Sequence, residues 1–198
     1  MRKKNWIGNK NSIYKTLGAS NHTNKIREQD DFYATDPKAA KLLLKLETFN
    51  NILEPSCGEG HLSKVFKKAG IKTTSSDLID RGYGIKKDFF NYKKWNGDII
   101  TNPPYKYAQA FIEHSLKITK KGSKIAMFLK LQFLESKGRK NLFINTPPKT
   151  LYVTSSRLLC AKNADFDGMR KAGGSAVAYG WFIWKKGFTG NTKIKWFN

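Results

Sequence analysis

Three things are scarce in this chain of 198 residues: cysteine, acidic side chains and long apolar runs. Its two cysteines, Cys57 and Cys160, lack CxxC spacing, which excludes a disulfide framework and a thiolate metal cage. The three histidines, His22, His61 and His114, read as structural or solvated, and no metal is expected. No apolar run approaches the ~20 residues that span a bilayer. The opening MRKKNWIGNKNS lacks the apolar core of a signal peptide, so a cytoplasmic location is expected. Only 15 Asp and Glu stand against 37 Lys and Arg, a net charge of +22. A small domain so charged repels itself at neutral pH unless a polyanion is near. Nucleic acid is the first candidate partner, an anionic membrane surface the second. A hydrophobic content of 39% with 26% charged residues is that of a globular chain, and the length suits one sizeable core. A secreted scaffold, a zinc finger and a membrane-spanning protein are thereby set aside.

What is present falls into two parts. Residues 1–30 are polar and basic, with Lys3, Lys4, Lys10, Lys15, Lys25 and Arg27, and with short structure expected only around Ile13 to Leu17. They read either as a solubilising tail or as a polyanion-binding arm. Residues 31–198 read as a single domain. Asp36 suits an N-cap and Pro37 a first helical position, before Ala39, Leu42, Leu43 and Leu46 at helical spacing. A short strand at Ile52 and Leu53 leads to a glycine-rich turn and a helix from His61 to Ala69, stopped at Gly70. Strands are expected at Ile71 to Ser75, at Asp98 to Thr101, at Lys124 to Lys130, at Thr150 to Ser155, at Ala176 to Trp184 and at Lys193 to Phe197. Helices are expected from Ala108 to Leu116, ended by Lys120-Lys121-Gly122, and from Lys137 to Ile144. This alternation implies an α/β sheet with helices on both faces. Leu158 to Ser175 reads as a long polar loop, either functional or a mere insertion.

Four groups of residues carry the chemistry. Glu54-Pro55-Ser56-Cys57-Gly58-Glu59-Gly60 forms a nucleotide-type turn at the end of the first strand, where Gly58 and Gly60 let the backbone approach a ligand closely. The turn lacks a GKS or GKT ending, so it is not a P-loop. Asp77, 19 residues past Gly58, can accept hydrogen bonds from both hydroxyls of a ribose. Asp88-Phe89-Phe90 could end a third strand and hold an adenine, or be a turn acid beside a core aromatic. Asn102-Pro103-Pro104-Tyr105 follows an apolar strand. Its prolines stiffen the backbone and remove two donors. The Asn102 side-chain carbonyl and the Pro103 backbone carbonyl remain as acceptors under the flat ring of Tyr105. That set suits an amino group on a planar heterocycle, although the same tetrapeptide also makes a plain strand-ending turn.

These residues resemble the amino-group methyltransferases that use S-adenosylmethionine, most closely the N-6 adenine-specific DNA methyltransferases. EPSCGEG at 54–60 is similar to their glycine loop, and NPPY at 102–105 matches their [DNS]PP[YFW] motif. Phe32-Tyr33-Ala34-Thr35-Asp36-Pro37 resembles their segment ahead of the first strand. The resemblance covers roughly residues 30 to 155, with weaker agreement at 176–185. It implies a Rossmann-like class I fold with a mostly parallel seven-stranded sheet. It implies cofactor contacts from Phe32, Thr35, Pro37, Glu54, Pro55, Cys57, Gly58, Gly60, Asp77, Asp88 and Phe89. It implies target-base contacts and catalysis by Asn102, Pro103, Pro104 and Tyr105; Phe166 in the long loop is a separate candidate for a second stacking face. Trp181, Trp184 and Trp196 are expected to pack in or at the edge of the sheet.

The gap from Asp88 to Asp98 is too short for the target-recognition region usual in sequence-specific members. Recognition is therefore expected from the basic arm, from the 158–175 loop or from a protein partner. The same motif order occurs in RNA adenine and release-factor glutamine methyltransferases, and the charge favours nucleic acid, double-stranded DNA first. A nucleic-acid-binding module without activity is the alternative of another class. The small solitary form looks like enzymes of phages or mobile elements.

Overall fold

The structure, a computed structural model, describes residues 33–162, 164–171 and 177–198. The basic arm of residues 1–30, His22 and Phe32 lie outside the described residues. The described part begins with β1 (Tyr33–Thr35), then α1 (Pro37–Leu46), whose first turn is capped by the Asp36 carboxylate accepting from Lys38 N–H at 2.8 Å. β2 (Ile52–Glu54) and α2 (His61–Lys68) flank the glycine-rich turn. Gly60 heads the helix at φ 80° and Gly70 follows its end at φ 76°, both in the left-handed region that glycine tolerates. β3 (Thr73–Asp77) starts two residues later than expected, and β4 (Ile85–Lys86) is too short for a sequence pattern to mark. Asp88-Phe89-Phe90 does not end a strand. The Asp88 carboxylate accepts from Phe90 N–H at 2.9 Å and turns Phe89–Asn91 into a single 3-10 turn.

β5 (Ile99–Thr101) delivers Asn102, a 3-10 turn covers Tyr105–Tyr107, and α3 (Ala108–Ile118) follows. After β6 (Lys124–Lys130), the helix expected at 137–144 divides into a 3-10 turn at Lys137–Arg139 and α4 (Lys140–Asn145). β7 (Thr150–Thr154) precedes the stretch read as a long loop. That stretch instead holds β8 (Cys160–Lys162) and α5 (Phe166–Lys171). β9 (Tyr179–Lys185) and β10 (Lys193–Phe197) complete the chain.

The main sheet has eight strands in the order β10-β7-β9-β6-β5-β2-β3-β4, one more than the seven expected because β4 adds to the outer edge of β3. Among the described residues, β9 alone runs against the other strands of this sheet. β1 and β8 pair antiparallel in a separate two-stranded ribbon. Each central strand is apolar on both faces, as a parallel sheet covered twice requires. Ile52, Ile100, Phe128 and Trp181 pack under α1 and α2, while Leu53, Ile99, Met127 and Trp184 pack under α3. The order of strands reverses between β2 and β5. Folds of this kind bind ligands in the crevice at the carboxyl ends of the strands beside such a reversal. No helix among the described residues is long and apolar enough to cross a membrane.

Candidate active site

The carboxyl rim brings the glycine loop, Asp77 and the Asn-Pro-Pro-Tyr segment together because β2, β3 and β5 are adjacent and parallel. In the loop, Cys57 N–H donates to Ser76 O at 3.0 Å and Gly60 N–H to Cys57 O at 2.8 Å. Gly58 takes φ 52° and donates its N–H to Asp77 Oδ2 at 2.8 Å, while Ile79 N–H reaches Asp77 Oδ1 at 3.1 Å. A carboxylate has about four acceptor positions. Two backbone donors therefore hold Asp77 in place and leave capacity for a diol. A Cβ on Gly60 would sit 2.3 Å from the Tyr83 ring, so this ring, 5.2 and 5.1 Å from Lys64 and Lys67 Nζ, closes over the turn. The Cys57 thiol donates to Tyr83 O at 3.4 Å, and burial pushes its pKa up to about 12. Cys57 is thus a neutral clamp between the loop and the Tyr83 segment.

Pro55 is buried. Glu54 lies behind the loop, 2% exposed. Ser63 donates its hydroxyl to Glu54 and accepts that of Ser75 at 2.6 Å, which joins β2, α2 and β3. Desolvation raises the Glu54 pKa to about 8, so this acid is mostly protonated at neutral pH. Phe89 is not at the rim surface. It is 2% exposed, packed against Phe111 at 4.7 Å and His114 at 4.8 Å, and its neighbour Phe90 is the exposed ring. Pro37 is half-buried at the start of α1, and Asp88 is occupied by its own turn.

The ribbon of β1 and β8 lies against Asn102. The Asn102 amide donates through Nδ2 to Thr35 Oγ1 at 2.9 Å and to Cys160 Sγ at 3.6 Å. Its Oδ1 is buried and has no protein partner. The two contacts fix which way the amide points and leave a desolvated acceptor beside the crevice. Pro103 is buried and Pro104 caps the turn that carries Tyr105. The Tyr105 and Tyr179 hydroxyls bond at 2.8 Å, and the rings of Tyr33 and Tyr179 lie 6.1 and 6.3 Å from that of Tyr105. Lys130 Nζ is 4.4 Å from the centre of the Tyr105 ring. Burial raises the pKa of both hydroxyls, so the rings stay neutral. Beside Tyr105 is a cavity of about 170 Å³ lined by Leu129, Lys130, Gln132, Phe133 and Arg139. A larger one, about 470 Å³, lies between Lys72, Asp98 and Lys121 at the opposite end of the sheet, away from these groups.

Phe166 does not meet Tyr105. Its ring lies edge-on to His61 at 5.8 Å, at the head of α2, while Arg170 of the same helix reaches Asp36 Oδ2 at 3.0 Å. Thr35, read from sequence only as a wall for a cofactor, is the partner of Asn102. Cys160, Tyr179, Lys130 and Tyr83 carried no local motif. The contacts of Cys160 and Tyr179 arise from strands read as loop or as plain core.

No protein-family model and no curated protein matches the sequence. Among solved structures, the M protein of the type I restriction enzyme EcoKI matches at 14% identity with a TM-score of 0.54, over 83% of this chain and 46% of that one. The type IIG restriction endonuclease BpuSI matches at 12% identity and 0.54, over 83% and 26%. A hemolysin candidate from Lactococcus lactis matches at 13% and 0.52, over 80% and 90%. The chain thus spans about half or less of the two restriction proteins. At these identities the likeness is one of fold alone: the α/β architecture is shared with these solved structures.

Proposed function

We propose that this protein transfers a methyl group from S-adenosylmethionine to the exocyclic amino group of adenine in DNA. The observation that carries this reading is the buried, unpartnered Oδ1 of Asn102, held outward by Thr35 and Cys160 at the end of β5. A buried acceptor without a partner costs stability, and an amino group of a bound base would satisfy it.

The cofactor, when bound, supplies an electrophilic methyl group. Gly58 and Gly60 would give it backbone approach, Asp77 would accept from its ribose, and Pro37 and Asp88 would border it. The fit rests on the two acceptor positions left on Asp77 and on the left-handed glycines of the turn. On the substrate side, Tyr105 stacks on a base taken out of its duplex. Asn102 Oδ1 and the Pro103 carbonyl accept from its amino group. An adenine amino nitrogen is a weak nucleophile because its lone pair is shared with the ring. Two acceptors favour a pyramidal nitrogen and stabilise the positive charge that develops on it. Most of the remaining work is alignment.

The test is nucleoside mass spectrometry on DNA and RNA, digested separately, from a host without adenine methylation that expresses the protein. N-6-methyladenine in DNA, absent for Asn102→Ala with cofactor affinity within a few-fold of wild type, is the expected result. Methyladenosine confined to RNA would move the substrate to RNA. An active Asn102→Ala would overturn the chemistry.

A further inference from the structure

The half of the sheet beyond β6 gives the main sheet's part of the site only Tyr179, yet its surface is unusual in two respects. From residue 136 to the end, the sequence has 12 Lys and Arg but only Asp165 and Asp167 as acids, and both acids lie in or beside α5. The elements α4, β7, β9 and β10 contain no carboxylate side chain. On β10, Trp196 is 69% exposed and Ile194 is 52% exposed. They are two residues apart and so share one face, opposite the buried Phe197. A tryptophan this open is a large apolar surface left for a partner to cover.

The position of Trp196 follows from register. Trp196 pairs with Val153, Val153 with Gly180, and Gly180 with Leu129. Trp196 is therefore level with the residue before Lys130, on the same carboxyl rim that carries Asn102 and Tyr105. From β5 to β10 there are four strand steps through β6, β9 and β7, about 19 Å at ~4.8 Å per step. That span matches about five or six base rises of 3.4 Å. Lys193 and Lys195 on the same edge strand discourage pairing with another strand. An edge strand that carries Lys193 and Lys195 beside one open indole, with no carboxylate on β7, β9 or β10, fits a polyanion with exposed flat rings better than a protein.

We infer that the β7–β10 rim is a secondary nucleic-acid contact, in which Trp196 stacks on an unpaired base of the strand that flanks the target by about five or six nucleotides. The inference rests on the nucleic-acid reading above, and it assigns the substrate an unpaired stretch on that side. Recognition of the flank then belongs to the catalytic domain itself.

Fluorescence anisotropy with a labelled single-stranded oligonucleotide of about 14 residues, one adenine near an end, tests the contact without any methyl transfer. Trp196→Ala should weaken binding at least about fivefold at every salt concentration, because stacking is not screened. The slope of log affinity against log salt should stay unchanged, and Trp196→Phe should recover most of the loss. An oligonucleotide too short to reach the edge strand should show no such difference. Equal affinity for Trp196→Ala on the long strand would overturn the inference. So would a dimer in light scattering that Trp196→Ala disperses without changing oligonucleotide affinity, since the edge would then join two copies. The same measurement in an Asn102→Ala background keeps the two readings separate: methylation retained by Asn102→Ala with the Trp196 effect intact refutes only the catalytic one.

Discussion

Asn102 acts through one oxygen, so the direction of its amide decides everything the residue can do. The Nδ2 group has two acceptors, Thr35 Oγ1 and Cys160 Sγ, and the thiol is the weaker and longer contact. Thr35→Val keeps the shape and removes the better acceptor. The amide then loses its orientation, and a buried N–H is left short of a partner at a cost of about 1–3 kcal/mol. Turnover should fall by roughly ten- to a hundredfold with cofactor affinity unchanged. Thr35→Ser should restore it, because the hydroxyl returns. Steady-state methylation beside calorimetric cofactor binding checks this, and a matched fall in cofactor affinity would return Thr35 to the role of a cofactor wall. The sequence marked Thr35 through its place before α1, but the bond to Asn102 spans 67 positions and left no local trace.

At the scale of elements, legibility followed the local origin of each signal. Asp36 and Pro37 announced α1, the glycines framed α2, and KIAMFLK was readable as β6 because all three depend on neighbours in sequence. β4 was too short to show a period, and β8 exists only because β1 pairs with it. Of the two readings of Asp88-Phe89-Phe90, the structure has the turn acid beside a core aromatic, because the 3-10 turn rotates Phe89 into the core. The motif residue Glu54 likewise proves to be a joint between elements. In the unfolded chain it ionises near 4.5, whereas in the fold burial holds its proton up to about 8. The folded state thus keeps a proton that the unfolded chain has already released. The stability from this group is complete below pH 4.5 and is lost as pH rises toward 8, on the order of a few kcal/mol. Glu54→Gln retains an acceptor for Ser63 and has no charge to bury. It should melt close to wild type at pH 4 and roughly 5–10 °C higher at pH 9. A parallel pair of melting curves across that range would contradict the assignment.

For the whole molecule, a charge of +22 acts in two opposite directions. Like charges on the folded surface lie closer together than in the unfolded chain, so the free protein is destabilised by self-repulsion, and added salt screens it. The melting temperature of the protein alone should therefore rise with salt from 20 to 300 mM. The same salt competes with nucleic-acid phosphates for the lysines, so affinity for an oligonucleotide should fall with a slope near −0.7 to −0.9 per phosphate contacted. Stability and binding must then move apart along one salt axis, and nucleic acid at low salt should raise the melting temperature more than an uncharged polymer does. Because α4, β7, β9 and β10 hold no carboxylate, the effect is local as well as global. If both curves rose with salt, the binding would be apolar in origin. The charge would then serve solubility alone, and the substrate of the Asn102 site would have to be sought outside nucleic acids.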